Sequence, residues 1–245
     1  MPRYLLLQCR TADDLMGPHE VECVVRALAC ETADVRVFNI TTGLPSEADL
    51  SDCDAVLMGG SGAFHIYSPD AWVRDMLHFC AERLQFLEKP FFGMCFGYQA
   101  MMHACGGEVR LDKEREELGV YELELTDAGM NDPIFAGAPP RFEAQFGHKD
   151  RAITAPEGWL NLARTPLSPL QAFRIPGRPI WGFQFHAELR LEDNLHRIHA
   201  YAVNYGVGSD GTLPKPLADR LRPTPIGSSL MTRFAAVVEQ HLEST

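Results

Sequence analysis

The chain has 245 residues, 46% hydrophobic and 22% charged, with a formal net charge of -11 and a pI near 5.2. That length suits one large domain or one domain with an appendage, and the composition is that of an ordinary globular protein. The acidic balance argues against nucleic acid or an anionic membrane as a partner held by bulk electrostatics, though local donors can still bind a small anion.

Tyr4–Gln8 is a compact apolar run and reads as a first strand; the segment is too short for a signal-peptide core. His19–Cys30 places Val21, Val24, Val25 and Leu28 on one stripe, which predicts a helix. Asp34–Ile40 alternates as a second strand, and Ala55–Met58 is a short apolar strand that runs into Gly59-Gly60. Ala71–Leu87 carries Trp72, Met76, Phe79, Cys80 and Leu84 at helical spacing, and Lys89-Pro90 stops it. Phe91-Phe92 opens the next strand, and Phe96–Ala104 is a helix ended by Gly106-Gly107. Strands and helices alternating in this way imply a doubly wound parallel sheet with helices on both faces.

The second half changes character. Val120–Leu125, Arg141–Phe146, Trp159–Ala163, Leu170–Arg174 and Ile180–Phe185 are short candidate strands separated by Pro and Gly turns. They predict an antiparallel extension of the same sheet. Asp193–Tyr205 reads as a helix, residues 206–225 as a Pro/Gly-rich linker, and Ser228–Leu242 as an amphipathic helix. The expected division is a catalytic domain over 1–205 and an appendage over 206–245. The last helix packs on that domain or serves a partner, and nothing in the pattern fixes an oligomeric state. No run approaches the ~18 apolar residues that span a bilayer.

The seven cysteines are odd in number and none is spaced C-x-x-C, which suits a reducing cytoplasm better than a disulfide framework. Cys95 stands apart. In Gly93-Met94-Cys95-Phe96-Gly97 a strand enters and a helix leaves, so Cys95 sits on a sharp turn whose close approach favours glycine two residues before and after. Such a turn presents the side chain at the sheet's C-terminal edge. The helix N-terminus there favours thiolate over thiol, and the Phe96 amide is free of the helix ladder and able to hold an oxyanion. Alone, the motif is equally compatible with a buried cysteine at a turn.

Two further features bear on it. Gly59-Gly60-Ser61-Gly62 follows a strand and lets backbone amides approach a ligand, supplying a second oxyanion donor. It is also compatible with an ordinary turn, and it lacks the Gly-Lys-Ser/Thr ending of a P-loop. Period-two alternation in Trp181–Phe185 leads to His186 at a strand end, with Glu188 two residues on and able to orient the imidazole. A thiolate nucleophile needs such a base, and the base needs an acceptor. His-x-Glu by itself is common on surfaces.

Together these residues resemble the class I (triad) glutamine amidotransferases, particularly the glutaminase domain of GMP synthetase and its free-standing relatives. The likeness covers roughly 1–205. It takes in Gly59–Gly62, the elbow Gly93–Gln99, Gly106-Gly107, Asp132-Pro133-Ile134-Phe135, Gly147-His148-Lys149-Asp150 and Gly182–Glu188. The resemblance implies a flavodoxin-like α/β fold and hydrolysis of the γ-carboxamide of glutamine without a cofactor or metal. Cys95 would form a γ-glutamyl thioester, His186 would act as base and acid, and Glu188 would orient His186. Gly60 and Phe96 match the oxyanion-hole amides and Gln99 the glutamine-holding residue. Gly62 and the backbone of Gly147 and Lys149 match positions lining the pocket. An ammonia-consuming synthetase subunit is the implied partner.

The chain departs from that pattern at Ala187 and at Ser61, where proline is common, and no synthetase domain is expected after residue 205. That departure keeps open a hydrolase of another γ-glutamyl amide, such as a peptide or polyamine conjugate. An inactive binding module on the same fold is the reading from another class. Lys113–Glu117 reads as a solvated charged turn, His196 and His199 as solvated helix residues, and His148 as either pocket-adjacent or structural.

Overall fold

A computed structural model describes residues 1–244. In chain order the strands are β1 (Tyr4–Gln8), β2 (Val35–Asn39), β3 (Ala55–Met58), β4 (Phe91–Met94), β5 (Glu108–Leu111), β6 (Glu117–Leu125), β7 (Arg141–His148), β8 (Asp150–Thr154), β9 (Leu160–Arg164), β10 (Ala172–Ile175) and β11 (Ile180–Phe183). The helices are α1 (Met16–Leu28), α2 (Glu47–Ser51), α3 (Ala71–Glu82), α4 (Phe96–Ala104), α5 (Asp127–Met130), α6 (Leu191–Ala200), α7 (Ala202–Tyr205), α8 (Lys215–Ala218) and α9 (Leu230–Ser244).

Nine strands form one sheet in the order β2-β1-β3-β4-β11-β10-β9-β6-β7. The first five are mutually parallel, and the remaining pairings are antiparallel. This is the mixed, mostly parallel α/β sheet that the sequence predicts. Strands buried on both faces read as unbroken apolar runs, and β1 shows why. Tyr4 and Leu6 point into one core with α1 and α9, while Leu5 and Leu7 point into the other with α3 and α4. On the first face Phe234 of α9 packs 5.1 Å from Phe92 and 6.3 Å from Trp181, ring centre to ring centre.

Several boundaries differ from expectation. Helix α1 begins three residues early because Pro18, in its first turn, gives up an amide that has no helical acceptor there. Helix α3 ends at Glu82 and a 3-10 turn takes Leu84–Phe86. Strands β5 and β8 were not anticipated. They form a separate antiparallel pair in which the exposed Arg110 and the buried Asp150 break the alternation. The Pro/Gly-rich stretch holds the one-turn helix α8, whose Leu217 is buried. The expected solvated turn at Lys113–Glu117 holds only in part. Lys113–Arg115 is exposed, but Glu117 opens β6 and is wholly buried. Among the described residues no helix is long and apolar enough to cross a membrane.

Candidate active site

The C-terminal ends of β1, β3, β4 and β11 meet on one edge of the sheet, and β4 delivers Cys95 there. Its backbone lies at φ 48° and ψ -93°, and it is one of two non-glycine residues with positive φ among those described. Three backbone hydrogen bonds fix the turn: Cys95 N to Phe183 O at 2.8 Å, Gly97 N to Gly59 O at 3.1 Å, and Gln99 N to Cys95 O at 3.0 Å. A methyl group at Gly97 would come within 2.5 Å of Met58 O, and one at Gly93 within 2.9 Å of the Gly97 carbonyl carbon. Both glycines are therefore required by close packing of backbone on backbone.

Strand β11 continues into His186, which a bridge to β7 holds in place through His186 N to Gln145 O at 2.9 Å. His186 Nδ1 lies 2.7 Å from Glu188 Oε1. The other ring nitrogen faces the cavity, 3.8 Å from where a side chain at Gly147 would begin. Cys95 and His186 converge on Gly60, whose Cβ position would be 3.9 Å from Cys95 Cβ and 3.5 Å from His186 Cε1. Burial alone would push the imidazole down. The Glu188 carboxylate and the Cys95 side chain overcome this and hold it above its ordinary value, at about 9. Burial would raise Glu188, but His186 and Arg197 hold it well below the usual carboxylate range, at about 2.

A cavity of about 550 Å³ opens in front of Cys95 and His186, lined also by Gly60, Gly62, Phe96, Gln99, Gly147 and Lys149. All of the site residues expected from sequence therefore meet at this place, with Glu188 behind His186. Their contacts are not all those expected. The Gly60 amide donates to the buried Glu20 carboxylate at 3.1 Å instead of pointing at an open hole, and Arg10 donates to the same Glu20 oxygen at 3.1 Å. Gln99 Nε2 is spent within the wall, on Asp150 O at 3.1 Å and Gln184 Oε1 at 3.2 Å. Helices α6 and α7 close over the glycines. Lys149 Nζ donates to Asn204 O at 2.6 Å, a methyl group at Gly62 would overlap the Tyr201 ring, and one at Gly147 would lie 2.7 Å from the Tyr205 hydroxyl.

Sequence reasoning missed three of these residues. Arg197 on α6 donates to Glu188 Oε1 at 3.1 Å. Its only signal was an arginine on the helix that follows the His-x-Glu segment. Glu20 and Arg10 reach the glycine loop from α1 and from the end of β1, and no local pattern marks either. His148, left between two roles, meets both, being buried and part of the cavity wall. Its Nδ1 is 2.9 Å from Asp150 O and its Nε2 3.0 Å from Glu117.

Chemically, the arrangement is a strained cysteine at a helix N-terminus, a buried imidazole raised by its carboxylate, and a cavity large enough for a small polar molecule. Residues 19–202 match the family model described as "Glutamine amidotransferase class-I". The chain is 35% identical over 135 residues to the glutamine-hydrolysing GMP synthase of Thermosipho melanesiensis, covering 55% of this chain and 24% of that protein. It is 35% identical over 119 residues to a glutamine-hydrolysing GMP synthase subunit of Methanothermobacter thermautotrophicus, covering 49% and 62%. The chain thus matches less than two thirds of the length of each of these curated relatives. A glutamine amidotransferase of Thermotoga maritima superposes with a TM-score of 0.73 at 21% identity, covering 99% of both chains. One from Methylobacillus flagellatus gives 0.71 at 17%, covering 99% and 95%. At those identities the two structures speak for the shared fold.

Proposed function

We propose that this chain, which belongs to the class I glutamine amidotransferase family, hydrolyses the γ-amide of glutamine through Cys95, His186 and Glu188. One observation carries the proposal: the elbow cysteine and the His186 ring converge on Gly60, the second ring nitrogen faces the cavity beside Gly147, and Glu188 occupies the other nitrogen at 2.7 Å. The Cys95 thiolate attacks the amide carbon and forms a tetrahedral oxyanion. His186 then protonates the departing nitrogen, ammonia leaves, and a γ-glutamyl thioester remains. His186 takes a proton from water, the hydroxide attacks the thioester, and glutamate is released as the thiolate returns.

The Phe96 amide, in the first turn of α4, has no acceptor within its helix and serves as one oxyanion donor. Gly60 supplies the second when its amide leaves Glu20. Gln99, Gly62, Gly147 and Lys149 shape the pocket. In this reading residues 1–205 form the catalytic unit, and α9 of the 206–245 appendage docks on it, consistent with Phe234 packing on Phe92 and Trp181. The ammonia passes to a separate synthetase chain, in keeping with the Methanothermobacter relative, which is one subunit of a GMP synthase. The seven cysteines, all unpaired in the structure, suit a reducing cytoplasm.

A cavity of about 550 Å³ exceeds what a single small amino acid fills, which favours as a second reading a larger γ-glutamyl amide. The test is glutamate release from glutamine and from a panel of γ-glutamyl peptides and polyamine conjugates, with and without an ammonia-consuming synthetase. Turnover of glutamine, lost in Cys95→Ala, supports the first reading, and turnover of conjugates alone supports the second. No turnover of either, with the synthetase present, overturns both in favour of a binding module.

A further inference from the structure

On the far side of Arg197 from Glu188, helices α1 and α6 bring together three side chains that the proposed reaction does not use. His19 and Cys23 lie one turn apart on the same face of α1, and Asp193 faces them from the first turn of α6. Cys23 Sγ is 3.6 Å from His19 Nε2, and that nitrogen is 3.5 Å from Asp193 Oδ1. One donor atom from each lies within 4.8 Å of the others. Ligands at zinc's usual bond lengths of about 2.0–2.3 Å span tetrahedral edges of about 3.4–3.6 Å. The two separations fall on those edges, and the third pair lies within 4.8 Å, close enough for a small side-chain adjustment to share one ion.

The surroundings suit such an ion. Cys23 is fully buried and Asp193 nearly so. The second Asp193 oxygen is held by the Arg190 amide at 2.8 Å and by the Arg26 guanidinium. These bonds orient the carboxylate and leave Oδ1 toward the cluster, as outer partners of metal ligands do. A thiolate and a carboxylate together neutralise a dication, so the occupied cluster is itself uncharged beside Arg26 and Arg197. His196, three residues after Asp193 on α6, lays its ring 4.7 Å from that of His19. Each helix thus contributes a pair one turn apart, and a rotation of His196 completes four ligands.

We infer that His19, Cys23 and Asp193, with His196 in the fourth position, form a site for a borderline-soft divalent cation of the zinc class that clamps α1 to α6. A thiolate, imidazole and carboxylate set selects zinc over magnesium or calcium. Binding releases the Cys23 thiol proton to solvent. Because Arg197 lies one turn beyond Asp193, the clamp also fixes the helix that supports Glu188.

The test uses the full chain stripped of metal and carrying Cys95→Ser with Cys30→Ser and Cys105→Ser, which removes the elbow thiol and the two partly exposed thiols. Cobalt(II) is the probe and zinc the competitor. The expected result is one equivalent of tetrahedral cobalt with a thiolate charge-transfer band, displaced by zinc. The band disappears in Cys23→Ser, and affinity falls at least about tenfold in His19→Gln. Should Cys23→Ser fail to fold, the partly exposed His19→Gln decides. Absence of a thiolate band, or a band of unchanged affinity in His19→Gln or surviving in a folded Cys23→Ser, overturns the site.

Discussion

Two histidine–glutamate pairs lie in the same half of this molecule, and their chemistry differs despite near-identical geometry. His186 and Glu188 meet at 2.7 Å, His148 and Glu117 at 3.0 Å, and all four side chains are buried. In the second pair every capacity is filled. Both nitrogens of His148 face acceptors, and Glu117 also takes hydrogen bonds from Thr165 and Gln171. In the first pair one nitrogen faces the cavity beside Cys95, and Glu188 Oε2 and Arg197 Nη2 make no hydrogen bond among the described residues. A histidine does proton chemistry when one of its nitrogens is left open to a ligand. With both bound it is a structural tie.

Exchanging the roles is the sharpest way to break this comparison. His186→Gln, whose amide keeps a donor toward Glu188, should lower kcat on the best γ-glutamyl amide by about 10³–10⁴-fold, with only a modest fall in melting temperature. Glu117→Ala should do the reverse. Taking one partner from a buried polar pair costs about 3–5 kcal/mol, a fall in melting temperature on the order of 10 °C for a chain of this size, with kcat per folded molecule preserved. Comparable loss of kcat in both variants would erase the distinction.

Glu188→Gln tests the role proposed for the first pair, and kcat should drop by about 10²-fold. Because Glu188 and Cys95 raise His186 from 6.5 to about 9, the imidazolium persists through neutral pH. Its stabilising charge is fully present below 6.5 and is lost as pH rises through about 9. The alkaline limb of kcat/KM should therefore lie near 9 and move toward acid in Glu188→Gln. A limb that stays in place would count against the pairing. The smallest effect is expected on the opposite wall, where Gly62→Ala forces the Tyr201 ring aside and costs about 1–3 kcal/mol. KM should rise about tenfold and kcat change little, as steady-state kinetics would show.

The sequence was most legible where one local geometry demands one residue type. Gly93 and Gly97 are dictated by backbone packed on backbone, and the apolar runs of β1, β3 and β4 by burial on both faces. These placed the sheet and the elbow. Period-two alternation up to His186 placed that histidine at a strand end. Contacts made only by tertiary return were invisible, among them Glu20 on Gly60 and Arg197 on Glu188. Glu117 was misread because it ends a run of charges whose other members face water, and only the start of β6 turns it inward. Gln99 was identified by motif, yet its amide nitrogen is committed to Asp150 and Gln184, which no linear pattern reports.

The parallel pairing of β4 with β11 also sets a schedule. Cys95 exists at the end of β4, but its neighbour strand is the last of the sheet, and everything from β5 to β10 must be made in between. At common ribosomal speeds that interval is roughly ten seconds. Throughout it the nascent chain carries the cysteine without the histidine, and Cys95 N awaits the Phe183 carbonyl that shapes its turn. On the proposed reading the nucleophile is thus assembled late, and a translation product interrupted before β11 lacks the strand and the histidine that would complete it.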